Sequence, residues 1–280
     1  MNRDIQLSQQ PMSTQDGAGV KLKRLFPTPE LDNIDPFLLF DHFGSDNADD
    51  FIAGFPMHPH RGIETVTYML EGRVKHKDST GHSGTIEAGD VQWMSAGRGI
   101  MHEEMPERAD GRLSGFQLWV NLPASEKMKL AEYQEYQAEE ITGFDHQGHT
   151  IRLVSGKLLG HAGVLKNVST APVYADITMI AGRLELQLPP QHNAFIYIFQ
   201  GEACIINDAG KANSVTAPRL VMLTQGDNLV LETSHEARLM LAAAQNINEP
   251  IVRWGPFVMN THEEVEQTLR DMREGKFPPE

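Results

Sequence analysis

Cysteine is nearly absent: Cys204 is the single one in 280 residues, so no disulfide can form within the chain and a reducing compartment is expected. Long apolar runs are missing too. No stretch of 18 or more apolar residues occurs, which excludes an ordinary helical membrane span. Met1 to Gln10 include Arg3 and Asp4 and no apolar core, so no signal peptide is visible and the expected location is cytoplasmic. Clustered positive charge is also scarce. Against a formal net charge of −14, the densest basic stretch is Lys21-Leu-Lys23-Arg24, and so negative a surface repels a phosphate backbone. Direct nucleic-acid binding is therefore not expected. The chain also lacks a Gly-rich phosphate loop, a Ser-His-Asp set and a nucleophilic Cys arrangement.

Turn formers are plentiful. The 24 glycines and 16 prolines point to β architecture, and the length is comfortable for two domains. Strand-length apolar stretches recur, among them Ile63-Glu-Thr-Val-Thr-Tyr-Met-Leu70, Asp90-Val-Gln-Trp-Met94 and Phe116-Gln-Leu-Trp-Val-Asn-Leu122. Turn signals such as Glu71-Gly72 and Gly97-Arg-Gly99 separate them. Ser125 to Glu140 is rich in charge and Gln and reads as a connector, helical or extended. Strand patterns then resume at Ile151-Arg-Leu-Val154 and continue to Ala237-Arg-Leu-Met-Leu241. The period changes near the end. Thr261 and Glu264 form a capping-box pattern, Val265, Leu269 and Met272 share a helical face, and Arg270 and Arg273 suit the negative end of the helix dipole.

The two halves echo each other. Tyr68-Met-Leu-Glu-Gly72 parallels Tyr197-Ile-Phe-Gln-Gly201, and Gly89-Asp90 parallels Gly226-Asp227, as in a duplicated barrel. The expected division is a first domain over 1–124, a connector over 125–149, and a second domain over 150–280 that ends in a helix at about 261–274.

The chemistry concentrates in His58-Pro-His60-Arg-Gly-Ile-Glu64. Strand alternation places His58 and His60 on one face, with Glu64 if the strand stays regular. Pro59 offers no ladder hydrogen bond, so this is a strand start or an edge. Downstream, His102 and Glu104 share a face, while Glu103 should point away. The 41 residues between His60 and His102 hold enough short strands to circle a small barrel and return. Unpartnered polar groups buried there would cost about 1–3 kcal/mol each, a cost that a divalent metal removes. Three imidazoles and a carboxylate suit Fe(II), Mn(II), Co(II), Ni(II), Cu(II) or Zn(II). Iron is preferred, because the set extends the His and carboxylate grouping of non-haem oxygenases. The other histidines read as surface or hydrogen-bonded residues, with His42 in Asp41-His-Phe-Gly44 the least settled. Trp93 and Trp119 read as packing.

These strings resemble a known family. His58-Pro-His60 through Gly72 is similar to the first cupin motif as pirins carry it, and Gly89-Asp90 through Met105-Pro106 to their second. Gly255-Pro-Phe-Val-Met-Asn-Thr261 resembles their C-terminal signature. The resemblance implies an all-β fold of two cupin (jelly-roll-type) β-barrels in tandem, with a short C-terminal helix and metal only in the first barrel. It implies His58, His60, His102 and Glu104 as ligands of one metal per chain, with Fe(II) expected. Glu64, a ligand in most other cupins, would then act indirectly, through a ligand or Arg61. In the second barrel Gln191-His192-Asn193 stands where His-x-His would be, and no metal is expected there. The implied activity is quercetin 2,3-dioxygenase-like ring cleavage, with O2 and a flavonol-like aromatic as reactants and Glu104 as catalytic base. The alternative is a metal- and redox-dependent regulatory module that binds a protein partner, since eukaryotic pirins are also described as nuclear transcription cofactors and redox sensors. A monomer is expected.

Overall fold

The computed structural model describes residues 1–108 and 111–279. Among these, β-strands dominate, one α-helix covers His262–Arg273, and no helix is long and apolar enough to cross a membrane. The chain divides into two compact units. One comprises 12–33, 37–138 and 247–280, and the other 1–11, 34–36 and 139–246.

Each unit is built from a seven-stranded and a four-stranded antiparallel sheet. In the first unit the seven run in the order Glu132–Tyr136, Val91–Ser95, Ile63–Glu71, Leu113–Asn121, Phe37–Ser45, Val20–Phe26, Met12–Asp16. The four are Phe55–His60, Ile100–Pro106, Arg73–Asp78 and Ser83–Glu87. The second unit repeats this plan. Its seven are Ile5–Gln9, Arg219–Leu223, Asn193–Gln200, Ala237–Ala244, Val173–Met179, His149–Ser155 and Thr142–His146, and its four Gly182–Gln187, Asn228–Thr233, Glu202–Ile206 and Ala212–Thr216. The duplicated turns correspond. Gly72 and Gly201 both sit at positive φ, where a Cβ would meet the carbonyl oxygens of Arg112 (3.0 Å) and Glu236 (2.3 Å).

The units do not follow the linear division at 124 and 150. Ile5–Gln9 forms an edge strand of the second unit, paired with Arg219–Leu223. Residues 247–280, helix included, belong to the first unit. The supposed connector is mostly extended: after a short 3₁₀ turn at Ala124–Glu126, Glu132–Tyr136 pairs with Val91–Ser95 as the first unit's edge strand. An edge strand needs only one neighbour, so local sequence does not say which sheet it joins.

The helix begins as expected. Thr261 Oγ1 accepts from the Glu264 N–H, and Glu264 Oε2 accepts from the Thr261 N–H. Its buried face is Val265 and Thr268, while Leu269 and Met272 are half-buried. Thr268 is drawn inward because its hydroxyl accepts from Arg61 Nη1 at 2.9 Å.

Cores differ between the repeats. The second unit is filled by one apolar cluster containing Leu184, Leu186, Ile205, Leu229 and Leu231 from its four-stranded sheet. The matching sheet of the first unit carries His60, His76, His102 and Glu104 as buried side chains instead. The first unit's apolar residues form two smaller clusters, one around Phe43, Met69 and Leu113 that takes Val74 and Ile86 from this sheet, and one around Ile63, Met94 and Val258 that takes Ile100.

Candidate metal centre

Phe55–His60 is the edge strand of its sheet, a place that tolerates Pro59. It pairs antiparallel with Ile100–Pro106 so that His102 lies directly opposite His58 and Ile100 opposite His60. A register shift between His102 and Glu104 brings Glu104 opposite Phe55. Along this second strand burial alternates: His102 and Glu104 are buried and Glu103 is not, in keeping with the parity read from the sequence.

Three imidazoles converge. The ring centroids lie 4.9 Å (His58–His60), 4.4 Å (His58–His102) and 5.0 Å (His60–His102) apart, and one nitrogen from each falls within 4.8 Å of the others. His58 Nδ1 is 3.0 Å from the Pro56 carbonyl oxygen. A carbonyl only accepts, so Nδ1 carries the proton and a neutral His58 turns the lone pair of Nε2 toward His60 Nε2, 3.1 Å away. Both ring nitrogens of His102 are buried without a hydrogen-bond partner. Burial, reinforced by the neighbouring imidazoles, pushes the pKa values of His60 and His102 well below the ordinary histidine value, so both are neutral at pH 7. Imidazole nitrogens this close together, two of them on His102 orphaned and buried, are what a divalent cation satisfies. The donor set fits a metal.

Glu104 stands beside this group, not within it. Its carboxylate lies outside the set of mutually close ligand atoms and lines the adjoining cavity, with Oε1 accepting from Thr67 Oγ1 at 3.0 Å. Glu64 is buried on Ile63–Glu71, and its Oε1 lies 3.4 Å from Lys129 Nζ. Burial raises its pKa, an effect that Lys129 opposes. The anticipated partnership of Glu64 with Arg61 is not found. Arg61 turns away instead, its Nε donating to the Arg98 carbonyl (2.6 Å) and its Nη1 to Asp271 Oδ2 (2.8 Å).

A cavity of about 510 Å³ opens beside His58, His60 and Glu104. Its apolar walls include Leu39, Phe43, Phe55 and Leu113, and its polar lining includes Thr67, Gln117 and Arg253. Trp119, read from the sequence as packing, is a wall of this cavity. Its ring meets His60 edge-on at 5.0 Å, and the Arg253 guanidinium sits 4.9 Å over it. The available signal was parity: Gln117 and Trp119 share one face of a strand whose other face is apolar. Arg253 carried no local signal, because it reaches the site from 133 residues beyond Val120 only through the fold. His42 does not line the cavity; its Nε2 lies 3.3 Å from Ser114 Oγ, and burial lowers its pKa to about 3. His192, in the second unit, is near Arg3 and its pKa is lowered chiefly by burial. Two groups of metal-ligating side chains occur among the described residues, both in the first unit: the imidazole set above, and His76, His82 and Glu135.

A repeated seven-plus-four-stranded barrel, with imidazoles gathered in one copy, defines a tandem cupin protein. Residues 19–120 match the Pirin family and residues 174–278 the Pirin C-terminal cupin domain. A pirin-like protein of Caulobacter vibrioides is 44% identical over 94% of this chain and 95% of its own length. The crystal structure of a quercetin 2,3-dioxygenase from Acinetobacter baumannii superposes with a TM-score of 0.90 at 30% identity, over 99% of both chains. A bacterial pirin from Escherichia coli, solved in complex with nickel(II), shares the fold at 18% identity (TM-score 0.66; 86% of this chain, 98% of that one). The chain belongs to the pirin family.

Proposed function

We propose that this pirin is a metal-dependent oxidoreductase of the quercetin 2,3-dioxygenase type. It takes a flavonol-like aromatic and O2 and uses one iron-class divalent ion held by His58, His60, His102 and Glu104. The observation that carries the proposal is the set of three converging imidazoles beside an apolar-walled cavity whose volume falls in the range of small-molecule sites. When bound, such an ion would supply Lewis acidity and help to orient the reactants.

The chain's own residues do the rest. Trp119, with Arg253 over its ring, offers an aromatic surface against which flavonol rings can stack. Leu39, Phe43 and Phe55 exclude water from the reacting face. Glu104 accepts the proton of the flavonol 3-hydroxyl, with Thr67 orienting its carboxylate.

The test uses the full chain loaded with Fe(II). Anaerobic addition of quercetin should perturb the metal's spectrum, and admission of air should then consume quercetin with release of carbon monoxide. His102→Ala should lose the bound iron and both responses. Loaded wild-type protein that shows neither response overturns the dioxygenase reading.

A further inference from the structure

We propose that His76, His82 and Glu135 form a second divalent-metal site of the zinc class, sharing no residue with the imidazole set of His58, His60 and His102. Three elements of the first unit build it. His76 lies on Arg73–Asp78, His82 ends the turn before Ser83–Glu87, and Glu135 is on the edge strand Glu132–Tyr136. The turn is held firmly: Asp78 Oδ1 accepts from the N–H groups of Thr80 (2.8 Å) and His82 (2.9 Å), and the Asp78 N–H donates to the His82 carbonyl.

The spacing is that of a coordination shell. Glu135 Oε1 lies 3.0 Å from His76 Nε2 and 3.2 Å from His82 Nε2, and the three ligand atoms fall within 4.8 Å of one another. Ligands about 2.0–2.1 Å from a tetrahedral zinc stand about 3.3 Å from one another. Hydrogen bonding accounts for the contact of His82 Nε2 with Glu135 Oε1 but not for His76. His76 Nε2 is buried and close to the carboxylate oxygen, yet it makes no aligned hydrogen bond. Gly84 lets the ring pack where it does, since an added Cβ there would come within 2.6 Å of His76 Nε2.

The donor set is two imidazoles and a carboxylate whose Oε1 also accepts from Gln92 Nε2, a combination that suits a zinc-class cation. His82 and Glu135 are 41% and 34% exposed, which leaves water access to complete the shell. The Tyr133 ring, 4.8 Å from that of His82, walls one side. His76 is also the cross-strand partner of Glu104, and such pairs project to one face, so the two metal positions are neighbours.

Titration of chelator-stripped full-length protein with zinc(II), read by calorimetry and by elemental analysis after gel filtration, should give two ions per chain. His82→Ala and Glu135→Gln should each retain one, with affinity for the second reduced about 100-fold. His102→Ala should lose the other ion and keep this one, so failure at either site is read independently. Gly84→Ala, which leaves all three ligands in place, should weaken the second site alone. The proposal is overturned if wild type binds a single zinc that His102→Ala removes, or if His82→Ala and Glu135→Gln, folded by their circular dichroism, still bind two.

Discussion

Thr67 carries one hydroxyl proton and has two oxygens within reach, Glu104 Oε1 at 3.0 Å and Gln117 Oε1 at 2.7 Å. Both cannot receive it. The Gln117 amide satisfies all three groups when turned to donate from its nitrogen to Thr67, which then donates to Glu104. Thr67 in this way fixes the orientation of the proposed base. Thr67→Val should lower the kcat for quercetin consumption about 10–100-fold while leaving the metal content near one iron per chain under iron loading. Thr67→Ser, which keeps the hydroxyl, should recover most of the loss. An unaltered kcat in the Val variant would remove Thr67 from the mechanism. Lys127 shows the same economy of donors: its buried ammonium donates to the Gly62 and Val258 carbonyls and to Asn121 Oδ1. Three acceptors satisfy it without a carboxylate, although burial lowers its pKa to about 8.

Among the elements, the C-terminal helix is tied to the strand Phe55–His60 through adjacent residues. Arg61 follows His60 directly, is buried, and holds Asp271 and Thr268 of the helix. Burial pushes the Asp271 carboxyl up, but hydrogen bonds from Arg61 and Gln267 prevail and leave it below its ordinary value of 3.8. A carboxylate with a depressed folded-state pKa adds stability that is complete above 3.8 and is lost as the pH falls through the depressed value. The protection factors of the helix amides, corrected for the intrinsic pH dependence of exchange, should therefore fall in acid below about pH 4. In Asp271→Asn that pH dependence should disappear. Asp271→Ala strands a buried guanidinium and should cost about 3 kcal/mol in chemical denaturation. Helix protection in the Asn variant that still tracked pH as in wild type would show that another group anchors it.

At the scale of the molecule, each unit borrows from a distant part of the chain. The first unit is incomplete without 247–280, which supplies Val258 to its core, Arg253 to its cavity and Asp271 to Arg61. A fragment of 1–149, which a linear reading would treat as a metal domain plus connector, should therefore fail to unfold cooperatively. Addition of a 247–280 peptide should restore a sigmoidal denaturation curve. A cooperative transition in the fragment alone would show that the tail is dispensable. The net charge of −14 acts at this scale as well, because self-repulsion is screened by salt.

Much of this was legible in the linear sequence. Period-two alternation and turn glycines identified the strands, the capping box set the start of the helix, and the spacing of His58, His60 and His102 marked the strands whose imidazoles converge. Side-chain direction in a strand is a local property, so parity alone separated Glu104 from Glu103 and grouped the histidines. What only the tertiary structure decided was which distant segments meet. The edge strands Ile5–Gln9 and Glu132–Tyr136, the crossing of 247–280 into the first unit, the turning of Arg61 to Asp271 and the arrival of Arg253 over Trp119 depend on long-range pairings that no local pattern encodes. His76, His82 and Glu135 belong to the same class. Two histidines six positions apart looked ordinary until the fold laid Glu135 against them. Backbone geometry acts between neighbours and is written in order along the chain, whereas packing acts between surfaces and is not.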